Sequence, residues 1–200
     1  MKETNIKRVQ TLLRRNRIIR SRELDRAGIQ RVVLARMLKR GLIKRVGRGL
    51  YVAPDFKPTA RHSLAEAGKR YPRGVICLLT ALQLHNLTTQ APFEVWMAVE
   101  RKAWRPVADR PAMRFAHFGG KSYSEGVESY RIEGVEVKVY NPAKTVADCF
   151  KYRHKIGLDI ALEALRDCLA QHKCPIDELW KYAKICRVQN VMRPYLEALG

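Results

Sequence analysis

Gln30, Arg31, Val32, Ala35, Arg36 and Lys39 are the residues of this 200-residue chain whose types and spacing offer the most specific chemistry. On a helix they share one side, while Leu34, Met37 and Leu38 recur at spacings of three and four on the other. A helix with one apolar and one cationic stripe can lie in the major groove of duplex DNA while gripping its own domain. Gln30 and Arg31 stand at the helix start, where base edges are usually reached. Arginine can hold guanine bidentately, and glutamine can do the same for adenine. Lys39, Arg40, Arg45 and Arg48 suit phosphate, which fixes position rather than sequence. Arg22, just upstream, completes the candidate DNA-contacting set.

Catalytic chemistry finds less purchase. Glu136-Val137-Lys138 and Glu100-Arg101-Lys102 carry the E-x-K pattern of metal-dependent nucleases, but no Pro-Asp partner precedes either. Alternating charges on a solvated strand face account for both. His62, His85, His117, His154 and His172 are scattered, and none stands at metal-ligand spacing. His85 reads as a hydrogen-bonded core residue. P-loop, dinucleotide and Gly-x-Ser-x-Gly signatures are missing. No catalytic residue, metal or cofactor is therefore assigned. Lys144, Lys151, Arg153 and Lys155, with His154 among them, are candidate second polyanion contacts, or cations offsetting a helix dipole.

The elements that must hold the DNA-facing set can be read around it. A formal charge of +20 and a pI near 10.2 favour polyanionic partners. Residues 1–58 hold 17 Lys/Arg against 4 Asp/Glu, whereas the other 142 hold 22 against 15. That asymmetry marks a basic module joined to a more ordinary domain. Ile6, Val9, Leu12 and Leu13 give a helix from Glu3 to Arg15. Ile18-Ile19 is a β-branched stretch, and Ser21 is a candidate cap for a helix over 22–27 that buries Leu24. Gly28 ends it, and the basic helix follows at helix-turn-helix spacing. Gly41 stops that helix. Residues 42–45 and 50–52 read as strands around a glycine turn at 46–49. The whole predicts a winged helix-turn-helix over 1–56, with a boundary at Asp55-Phe56-Lys57-Pro58 and a second domain over 59–200.

The second domain predicts an α+β fold, a mainly antiparallel sheet with helices packed on it and a helical C-terminal end. Ser63-Leu64-Ala65-Glu66 reads as a capping box opening a helix to about Tyr71. Residues 78–86 read as a buried helix. Strands are expected over 93–99, 113–118, 127–132 and 135–140, the last two joined by Glu133-Gly134. Asn141-Pro142 starts a helix. Leu158, Leu162, Leu165 and Leu169 form an apolar stripe. Cys77, Cys149, Cys168, Cys174 and Cys186 lie in no C-x-x-C pair and read as reduced thiols. With no apolar run of about 18 residues and no signal-peptide pattern, a cytoplasmic chain without membrane contact is expected.

Three motifs in order carry a resemblance. They are the wing Gly47-Arg48-Gly49-Leu50-Tyr51-Val52, the helix Leu79-Thr80-Ala81-Leu82-Gln83-Leu84-His85-Asn86-Leu87, and Asn141-Pro142-Ala143-Lys144-Thr145-Val146-Ala147-Asp148. Together they resemble the AbiEi antitoxins of bacterial type IV toxin–antitoxin systems over nearly the full length. Thr80 and Asn86 depart conservatively from the commoner serine and glycine. The resemblance implies a winged helix that binds inverted repeats in its own promoter and represses the operon. It also implies a C-terminal domain that opposes an AbiEii-type nucleotidyltransferase toxin without a stable complex. Lys144, Thr145 and Asp148 match the family motif, and a structural role at the helix start is expected for Thr145 and Asp148. A solo regulator whose second domain senses a ligand or a protein is the alternative.

Overall fold

The computed structural model describes residues 2–102 and 111–199, and side chains from residue 5 onward. Met1 and Gly200, the outer limits expected for the two domains, lie outside them. The chain is a mixed α+β protein that divides into two compact units. The first holds 1–72 together with 130–137, and the second holds 73–129 and 138–200. The expected boundary at 57–58 thus falls inside the first unit.

The first unit runs α1 (Lys2–Asn16), β1 (Ile18–Arg20), α2 (Ser21–Arg26), α3 (Arg31–Lys39), β2 (Lys44–Gly47), β3 (Leu50–Val52) and α4 (His62–Arg70). Its three strands pair antiparallel in the order β1-β3-β2. Val9, Leu13, Ile19, Leu24, Ile29, Leu34, Met37 and Ile43 make one core, so α1, α2 and α3 each bury the stripe that their periodicity announced. Ser21 is not the cap of α2 but its first residue. Arg20 precedes the helix, and the Glu23 carboxylate accepts the Arg20 N–H at 2.9 Å. Similarly, α4 starts at His62, one residue before the expected capping Ser63. Glu66 pairs with Arg70 at 3.3 Å instead of closing a capping box.

The hairpin tip joins this unit through one carboxylate. Thr59 donates to Glu133 Oε1 from both its backbone N–H and its hydroxyl at 2.8 Å, and His62 Nδ1 lies 2.7 Å from Oε2. Burial pushes the Glu133 carboxyl up, but the His62 and Thr59 bonds outweigh it and hold it below its ordinary value of 4.5. A depressed folded value contributes stability that is present above 4.5 and lost as pH falls through the folded value. Glu133→Gln should therefore lower the urea midpoint at neutral pH, by about 1–3 kcal/mol of stability. The deficit should shrink in acid, and a constant deficit would contradict the role. Gly134, at φ +77°, completes the tip. A Cβ there would meet Arg15 O at 3.0 Å, so only glycine sits without strain.

The remaining elements are β4 (Val75–Ile76), α5 (Leu78–His85), β5 (Val95–Glu100), β6 (Met113–Phe118), α6 (Lys121–Ser124), β7 (Val127–Ile132), β8 (Val135–Tyr140), α7 (Pro142–Lys151), α8 (Arg153–Ile156), α9 (Leu158–Ala170), α10 (Ile176–Cys186) and α11 (Gln189–Leu199). The sheet order is β6-β5-β4-β8-β7. It is mixed rather than mainly antiparallel, because β5 pairs β6, and β4 pairs β8, in parallel. β4 and β5 run antiparallel.

In the second unit α7 is the central helix, with Ala143 to Phe150 buried without a break. Its start is as expected: Asn141 Oδ1 accepts the Lys144 N–H at 2.8 Å, with Pro142 in the first turn. The Thr145 hydroxyl donates to Tyr140 O at 3.1 Å. His85 is a core histidine, with Nε2 2.7 Å from Tyr140 O. The buried stripe of α9 is Ala161, Ala164, Leu165 and Cys168, so of the four expected leucines Leu165 is fully buried while Leu162 and Leu169 pack half-buried beside it. Small residues let α9 approach α7 closely, and Leu158 is left exposed. Cys168 and Cys174 form a disulfide, which corrects the expected five reduced thiols to three buried free ones, Cys77, Cys149 and Cys186. The turn after α9 brings their Cα atoms to 5.5 Å, well inside disulfide reach. No helix among the described residues is long and apolar enough to cross a membrane.

Candidate nucleic-acid interface

The turn between α2 and α3 sets the angle at which α3 is presented. Gly28 takes φ +70°, and the Ile29 N–H returns to Leu24 O at 2.8 Å. That bond satisfies an orphan carbonyl of α2 and drives Ile29 into the core. The same closure ends α3, where the Leu42 N–H meets Met37 O at 2.9 Å beyond Gly41. Arg8 of α1 donates to Ala27 O at 2.8 Å, fastening the first helix to the turn. Residues 21–39 thus form a rigid helix-turn-helix-like pair whose first turn and last turn are both tied to the core.

With Leu34 and Met37 buried, the opposite side of α3 is solvent-facing. Gln30, Arg31, Val32, Ala35, Arg36, Lys39 and Arg40 are all exposed. Gln30 is the residue before the helix rather than its first turn. Val32 is 47% exposed and stands amid cations, an apolar contact point that the core does not use. Arg22 on α2 is exposed too.

Arg31 is exposed and paired with an acid. Its Nη2 lies 2.8 Å and its Nε 3.3 Å from the two Asp25 oxygens, a bidentate grip that holds the Asp25 carboxyl below its ordinary value. Arg31 must leave Asp25 before it can serve a base. The sequence spacing of six residues across a turn does not announce that pair.

The hairpin is shorter than expected. Strand β2 extends to Gly47, with a register shift between Arg45 and Gly47, so the tip is Arg48-Gly49. Arg48 is exposed, and Arg45 turns its Nε to Gly47 O at 3.2 Å. Lys44 and Arg26 are also exposed on these elements, beyond the expected set. Each falls at a solvent position of a short element, where alternation is too brief to single it out. Behind the hairpin, Lys69 pairs with Glu23 at 2.6 Å, and Arg20 donates to Arg70 O at 3.1 Å. These bonds tie α4 to β1 and α2 and leave the α3 face untouched.

The second set of cations separates into two kinds. Lys144 is fully buried, with Nζ 2.5 Å from Asp148 Oδ2 and 4.0 Å from the centre of the Tyr140 ring. It cannot reach a polyanion, which corrects its place in that set. Asp148 is pushed up by burial against the pull of Lys144, and it also accepts from Cys186 Sγ at 3.2 Å. Burial and Asp148 push the Cys186 thiol up to about 12, so it is a structural donor, not a nucleophile. Lys151 and Lys155 are exposed, and Arg153 is half-buried and donates to Phe150 O at 2.9 Å.

The E-x-K residues Glu136 and Lys138 alternate with the buried Val135, Val137 and Val139, so they stand on the outer face of β8. Among the described residues no three His, Cys, Asp or Glu side chains are grouped to hold a metal ion.

Compared with curated proteins, the chain matches none. Residues 7–54, which run from within α1 to just past β3, match the family model described as "Transcriptional regulator, AbiEi antitoxin", so this segment is similar to the regulator domain of that family.

Proposed function

We propose that this chain is the DNA-binding repressor of its own operon and the antitoxin of a type IV toxin–antitoxin system. Its first unit acts as a winged helix-turn-helix, with α3 in the major groove and the β2–β3 hairpin beside the phosphate backbone. One observation carries this reading: the cationic side of α3 is wholly exposed, while its apolar side is locked into the core. Arg36 and Val32 meet base edges, and Lys39, Arg40, Arg45, Arg48 and Arg22 hold phosphates. The promoter's inverted repeats are the target. The rest of the chain opposes an AbiEii-type nucleotidyltransferase toxin encoded beside it, without forming a stable complex.

The two roles are separable in one experiment. Arg36→Ala in the full-length chain should weaken binding to the upstream repeats by about 1–3 kcal/mol at fixed salt. Growth rescue from the neighbouring toxin should persist in the same variant. Unchanged repeat affinity would contradict the assignment of α3, and lost rescue would contradict the division of labour.

A further inference from the structure

A groove of about 550 Å³ opens on the first unit, lined by Gln10, Leu13, Arg14 and Arg17 of α1 and its end, by Leu42, and by 53–57 after β3. Its volume lies in the range of sites for small organic ligands. Two kinds of surface meet in it. Leu13, Leu42, Pro54 and the half-buried Phe56 ring supply an apolar floor. Arg14, Arg17 and Lys57 supply three exposed cations against the single carboxylate of Asp55.

The cations at the rim are uncommitted. Some charged side chains of this unit are already paired: Arg31 with Asp25, Lys69 with Glu23, Arg70 with Glu66. Among the described residues the Arg14, Arg17 and Lys57 side chains make no hydrogen bond or ion pair. Bare phosphate would use the charges and waste the floor. A neutral apolar molecule would use the floor and leave the charges idle. A ligand that carries both an apolar ring and a negative group uses both.

We infer that this groove is a binding site for a small aromatic organic anion, a ring carboxylate or sulfonate, with its ring against Phe56 and Leu42 and its anionic group between Arg14, Arg17 and Lys57. Phe56 also stacks at 5.3 Å on His62, the residue that grips Glu133. A ligand that moves the Phe56 ring therefore presses on the bond that seats the hairpin tip. The site stands independently of the DNA-binding proposal.

The test is a fluorescence titration of the full-length chain with 8-anilinonaphthalene-1-sulfonate. One saturable site per chain is expected. It should weaken at least about tenfold in Arg14→Gln/Arg17→Gln and in Phe56→Ala, and hold in Arg193→Gln on the other unit. Salicylate should displace the probe from the native chain. The double variant changes only exposed side chains, so it remains informative if Phe56→Ala fails to fold. Equal affinity in the native chain and the double variant would overturn the inference. So would a double variant that loses duplex DNA affinity while keeping the probe, because the two arginines would then be phosphate contacts.

Discussion

Asp148→Ala is expected to destabilise the second unit by about 3–5 kcal/mol, more than the loss of any surface cation or cap in the chain. Lys144 and Asp148 are both 0% exposed and lie one turn apart on a helix buried along its whole middle. Removing the carboxylate strands an ammonium among the Phe118 and Tyr140 rings, and it also takes the acceptor from Cys186. Urea unfolding followed by circular dichroism measures the loss. The double replacement Lys144→Met/Asp148→Val should recover most of it, because an apolar pair close in volume carries no desolvation cost. A single variant within about 1 kcal/mol of the native chain would show that the pair is not sealed from water.

Duplex affinity should fall about 10³–10⁵-fold between 50 and 200 mM salt, provided that six to ten phosphates are neutralised. The candidates for those contacts are Arg22, Lys39, Arg40, Arg45 and Arg48, with the exposed Arg26 and Lys44 beside them on α2 and the hairpin. Each cation that meets a phosphate releases counterions, and the slope of log affinity against log salt counts them. Substituting Lys39 and Arg48 with Ala should reduce the slope by about two while weakening all duplexes alike. A flat salt dependence would remove the electrostatic argument.

The helix that carries the interface is legible in the sequence because its information is local. Apolar spacing, Gly28 and Gly41 fix α3 and its exposed face without reference to any distant residue. The charge split points the same way. What stays hidden depends on residues far apart in the chain. Glu133 meets Thr59 and His62 across more than seventy positions, so a linker placed at 57–58 cannot foresee that the hairpin tip belongs with the first unit. Parallel pairing of β5 with β6 leaves no turn signature to read. A Lys and an Asp four apart read as a surface pair on most helices. Only the surround of α5, α9, α10 and α11 reveals that α7 has no surface to offer between Ala143 and Phe150. The leucine stripe of α9 is only partly met for a related reason: close helix packing selects Ala161 and Ala164 beside Leu165, and Leu162 and Leu169 fit at the margins.

Val32 offers the most direct test, because it is the exposed apolar residue inside the cationic face of α3. A photoreactive phenylalanine analogue placed at Val32 should crosslink to bases of the upstream repeats on irradiation, while the same analogue at Glu163 of the second unit should not. Crosslinks from 163 but none from 32 would contradict the claim that α3 enters the groove.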